Sequence, residues 1–120
     1  MGMTAGRFVV RVVEQLPEAG GLVAEHLDDN DGVLLHLLVG DLRRFAFDAW
    51  KRDDGSLLQR CLGLLEQALV TGDDRVDNAV SLSFVEDSSW WEPQVQPFIA
   101  TWPPALTAEV ERRRASRPGG

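Results

Sequence analysis

The chain is short of most residue types that catalysis and metal binding draw on. It has one cysteine (Cys61), one lysine (Lys51) and two histidines (His26 and His36). A single cysteine excludes an intramolecular disulfide. Its neighbours Leu58, Leu62 and Leu65 predict a thiol buried in a helix rather than a reactive one. There is no G-x-G-x-x-G run and no Walker lysine motif, so the common phosphate-cradling loops are missing. A G-x-S-x-G nucleophile elbow is missing too. His26 and His36 fall in separate helical patterns, without paired ligand spacing. The acidic turn Asp28-Asp29-Asn30-Asp31-Gly32 invites comparison with a calcium loop. With Gly32 at its sixth position, however, Leu27 and Leu38 would stand where oxygen donors are needed. These gaps lead to the expectation of no catalytic residue, no metal and no cofactor. The one enzyme reading left, a carboxylate pair involving Glu66 or Glu86, would require carboxyls converging in a pocket.

Long apolar runs are also missing. The longest, Gly32 to Gly40, contains His36 and is far too short to span a bilayer. The N-terminal stretch is broken by Arg11 and Glu14, unlike a secretory signal. Together with the cysteine usage, this predicts a cytoplasmic protein and no membrane partner. Excess basic charge is absent as well. The net charge is −7, and an arginine-rich end (Arg112, Arg113, Arg114 and Arg117) leaves the preceding 108 residues at about −9. Such a surface repels nucleic acid, which is bound through basic patches, and suits a basic protein partner.

What the chain does have is helical periodicity nearly throughout. At 120 residues and 44% hydrophobic content it can build one core without staples. Thr4 is expected to cap a first helix burying Phe8, Val9, Val12, Val13 and Leu16. Pro17 is expected in the first turn of a second helix, with Gly20-Gly21 as a possible interruption. The clearest stripe is Leu34, Leu38, Leu42, Phe45 and Ala49, spaced for one face of a helix. Asp54 or Ser56 caps a fourth helix, with Gly72 as its left-handed stop, and Asp73 or Asp74 caps a fifth. Val80 to Val85 alternates like a strand, but its flanking caps favour helix. Gln94 to Trp102 predicts a short helix, and Pro103-Pro104 opens a last one from Ala105 to Ala115. The expected fold is all-α: a compact antiparallel helical bundle, or a short helical-repeat-like stack, of five to seven helices. It comprises a single domain over 1–115 and a disordered tail over 116–120.

The residues expected to carry function are Trp90, Trp91 and Glu92, with Glu86 and Asp87 just before them and Asp73 and Asp74 further upstream. Tryptophan supplies large contact area at low entropic cost. Carboxylates around it speed encounter with a basic surface. Two adjacent tryptophans in a junction are expected to divide, one plugging the bundle and one facing out. Glu66, beside an apolar stripe, is expected to be structural, as is Asn78.

The run Leu38-Val39-Gly40-Asp41-Leu42-Arg43-Arg44-Phe45 resembles the GDL-x-x-F core of a family of small uncharacterised bacterial proteins, a domain of unknown function. The later pattern from Leu65-Glu66 through Gly72-Asp73-Asp74-Arg75-Val76-Asp77-Asn78-Ala79-Val80 to Phe84-Val85-Glu86 is similar to it as well. The resemblance covers roughly residues 30 to 105. It implies a helical protein like the immunity partners of polymorphic toxins, which protects its own cell by occupying a toxin. The expected function is thus non-catalytic binding of a protein partner, a basic toxin such as a nuclease. The alternative is a self-associating structural or regulatory module, a homodimer joined through the Trp90–Trp102 region.

Overall fold

The computed structural model describes residues 2–29 and 34–116. Asn30, Asp31 and Gly32 of the acidic turn, and residues 117–120 of the expected tail, lie outside them. Seven α-helices run through the described residues: α1 (Ala5–Gln15), α2 (Gly20–Asp29), α3 (Leu35–Lys51), α4 (Gly55–Thr71), α5 (Asp74–Ala79), α6 (Gln96–Ile99) and α7 (Pro104–Ser116). No strand occurs among them. The architecture is the expected all-α bundle.

α4 forms the hub. Leu57, Leu58, Cys61, Leu62, Leu64, Leu65 and Ala68 are all buried, and α1, α3, α5 and α7 pack around it. A helix apolar over most of its circumference is stable only when covered on several sides. The α3 stripe is buried at Leu38, Leu42 and Ala49, with Leu35, Val39 and Ala46 widening it. Leu34 departs from expectation: it is the extended residue before α3 and stays 46% exposed. On α1, Phe8 and Val12 are buried, as is Leu16 just past its end, while Val13 faces out, so that helix buries a narrower stripe than its composition suggested.

The helix starts follow local chemistry. Thr4 accepts from the Arg7 N–H, Asp54 from Leu57, and Asp73 from both Arg75 and Val76, each satisfying amides with no partner inside the helix. Pro17 begins a 3-10 turn, Pro17–Ala19, rather than α2. Gly20-Gly21 then opens α2 instead of breaking it.

Gly72 corrects the expectation of a left-handed stop. Its φ of −67° and ψ of 152° are extended, and it pairs with Met3 in an isolated parallel bridge. Met3 donates to the Thr71 carbonyl at 2.6 Å, and Asp73 donates back to Met3 at 2.9 Å. Space, not φ, demands glycine here. A Cβ would overlap the Ala68 carbonyl oxygen and stand 2.7 Å from Val76 Cγ1.

After α5 the helix does not end but widens into a π-helical segment, Val80–Val85, and then tightens into a 3-10 turn, Glu86–Ser88. Val80, Ser83, Phe84 and Val85 are buried, so the strand-like alternation is overruled by packing against α3 and α4. Two arginines seal carbonyls along this segment. Arg113 of α7 donates to the Ser81 carbonyl at 3.0 Å, and Arg43 of α3 to the Ser83 carbonyl at 3.3 Å. Arg113 also binds Glu86 at 2.6 Å and Glu109 at 2.7 Å.

Candidate functional site

The junction between the π-helical segment and α6 is built as a stapled turn. Ser88 donates to the Val85 carbonyl at 2.6 Å, and Ser89 takes a left-handed conformation, φ 57°. Such a conformation is uncommon for a side-chain-bearing residue; here it turns the chain sharply into the tryptophan pair. The Gln96 amide then donates to the carbonyls of both Trp90 (2.7 Å) and Glu92 (2.8 Å). Backbone that would otherwise need water is thereby fixed by a side chain. A 3-10 turn, Pro93–Val95, leads into α6.

On this turn the tryptophans divide. Trp90 is buried at 5% exposure, while Trp91 is 48% exposed and meets the Trp90 ring edge-on at 5.5 Å. The Arg114 guanidinium lies over the Trp90 ring at 5.8 Å, a favourable position for a cation on an aromatic face. Trp102 is buried too, against Phe84 and Phe98. The exposed ring is therefore held on a rigid base.

Three of the expected carboxylates lie within five residues of Trp91 along the chain. Glu86 is exposed and tied to Arg113, Asp87 is exposed, and Glu92 is half-buried with its Oε2 accepting from Gln94 at 2.6 Å. Asp73 and Asp74 do not join them. They lie at the start of α5, separated from Glu86 by that helix and the whole π-helical segment. Asp73 is occupied in capping and Asp74 is exposed in the first turn. Of the seven expected residues, Glu86, Asp87, Trp91 and Glu92 are accessible on the segment 86–92, Trp90 is buried there, and Asp73 and Asp74 belong to a different helix start.

Beside the tryptophan turn lies a groove of about 350 Å³. Phe47, Val95 and Phe98 are among its apolar lining, with Arg43, Ser89 and Glu92 among its polar groups. Arg43 comes from α3 and is half-buried. Burial pulls its guanidinium below its ordinary pKa, Arg44 adds to this, and Asp87 opposes it. Among the described residues no three histidine, cysteine or acidic side chains are grouped to hold a metal ion. No helix of the described residues is long and apolar enough to cross a membrane.

A model of one protein family, described as domain of unknown function DUF7674, matches residues 9–116. The chain belongs to the DUF7674 family. Among curated proteins and among solved structures nothing matches. Membership agrees with the resemblance to an uncharacterised family and extends beyond its span at both ends.

For this DUF7674 chain, residue patterns alone missed Arg43 and Arg113. Arg43 reaches a carbonyl 40 positions away and Arg113 one 32 positions away, and no periodicity announces such contacts. Glu66 gave a usable signal, a charge beside an apolar stripe. It is half-buried and accepts from the backbone N–H groups of Ala105 (2.8 Å) and Leu106 (3.0 Å), capping α7 from a neighbouring helix. Asn78 is exposed.

Proposed function

We propose that the chain is a non-catalytic protein-binding domain of the immunity type, which neutralises a cognate basic toxin, such as a nuclease, by occluding its substrate-binding face. The observation that carries this reading is Trp91, an indole 48% exposed on a stapled turn and flanked by Glu86, Asp87 and Glu92. An aromatic anchor on rigid backbone loses little entropy on binding. Carboxylates beside it can stand in for nucleic-acid phosphates against a basic surface. The net charge of −7 supports steering toward such a partner. Asp73 and Asp74 stand apart from this patch, so the reading rests on the 86–92 cluster.

Self-association through the Trp90–Trp102 region is less favoured, because Trp90, Phe98 and Trp102 are already packed in the core. The test is capture of the neighbouring gene's product by the purified chain, followed by titration against its toxicity. The expected result is a stable complex that suppresses toxicity, with Trp91→Ala weakening it by roughly thirtyfold or more and leaving the helical circular-dichroism signal intact. A neighbour that is not toxic, or two proteins that coexist unbound, would refute the reading.

A further inference from the structure

The groove beside the tryptophan turn contains an unusual electrostatic arrangement. Arg43 and Glu92 carry opposite charges and line the same space, yet they form no ion pair with each other. Arg43 is held in place through its Nε, which donates to the Ser83 carbonyl; the charge of Asp87, which does not line the groove, acts on the same guanidinium, and the remaining N–H donors of the fork can take a further acceptor. Glu92 is held through one carboxylate oxygen by Gln94. In the same lining, Phe47 and Phe98 meet edge to face at 5.1 Å, and Val95 adds to the apolar surface. A half-buried cation and a tethered carboxylate that line one groove without pairing, beside aromatic rings, match a ligand with two opposite charges and an apolar body.

We propose that this groove binds a free α-amino acid with an apolar side chain, its carboxylate on Arg43, its ammonium on Glu92 and its side chain on Phe47, Val95 and Phe98. The volume of about 350 Å³ lies at the small end of the range for small-molecule sites. Guanidinium and carboxylate are suited to each other through paired N–H donors. A singly charged ligand satisfies only one of the two charges. This inference does not rest on the partner-binding reading, and failure to capture a toxin leaves it standing.

The experiment is titration calorimetry of the whole chain with leucine and with phenylalanine, each paired with its methyl ester and its N-acetyl derivative. The expected result is saturable one-to-one binding of the free amino acids. The ester lacks the carboxylate charge and the N-acetyl form lacks the ammonium, so each should bind roughly tenfold or more weakly. R43Q and E92Q should each lose a similar factor, with folding checked by circular dichroism. The derivative series uses the unaltered protein, so it decides the matter even if a variant unfolds. No saturable binding into the millimolar range, or equal binding of the singly charged derivatives, overturns the proposal.

Discussion

At the scale of single residues, burial decides which reactive groups can act. Cys61 has no exposed surface, donates to the Leu42 carbonyl at 3.6 Å, and its thiol is pushed up to about 12 by burial. Thiolate is the reactive form, so the native thiol is inert at neutral pH. Iodoacetamide at pH 8 should leave Cys61 unmodified in the folded chain and label it fully in urea, as read by mass spectrometry. The linkage runs in one direction. The folded pKa is raised, so the thiol's contribution to stability is complete below the unfolded value near 9 and is lost as pH rises toward about 12. The tryptophan pair shows the same principle with the opposite outcome. Packing consumes one indole and leaves its neighbour facing out, a choice that adjacency in the sequence anticipates without saying which ring is which.

At the scale of helices, the bundle is joined by side chains that cross between elements. Glu66 of α4 caps α7 with two hydrogen bonds, work that a residue preceding α7 would ordinarily do. Glu66→Ala should lower stability by about 2 kcal/mol, since a charge-assisted cap is lost from a partly buried site. Glu66→Gln should cost roughly half as much. Urea unfolding followed at 222 nm measures both. These helices were legible in the sequence because burial repeats every three to four residues, as at Leu38, Leu42 and Ala49. Caps were legible for the same local reason: Thr4, Asp54 and Asp73 need only the next few amides. Gly72 was misjudged because glycine answers two demands, unusual φ and close approach, and local sequence does not separate them. Glu66 was recognisable as out of place, but its partners sit about 40 residues on. Arg43 stands inside the GDL-x-x-F-like run with no local mark of a site residue, since its role exists only once α3 meets the π-helical segment.

At the scale of the whole molecule, charge governs encounter. The carboxylates Glu86, Asp87 and Glu92 lie on a chain whose net charge is −7. Association with a basic partner should therefore slow steeply as salt is raised, with dissociation little affected. Stopped-flow measurement between low salt and about 0.5 M, where the screening length falls to only a few ångströms, should show the association rate dropping by roughly tenfold or more. A rate insensitive to salt would locate the contact away from the carboxylates. The overall form is a slab with extents of 43 × 32 × 24 Å.

The widened turn at Val80–Val85 has a bearing on the tryptophans that lie after it. A π turn accommodates an additional residue compared with ordinary α geometry. Winding the same residues as a regular α-helix would put everything downstream out of phase by about 100° around the axis, and Ser81 and Ser83 would lose their alignment with the two arginines. The widened turn absorbs that surplus, so the chain enters the left-handed bend at Ser89 in the phase that buries Trp90.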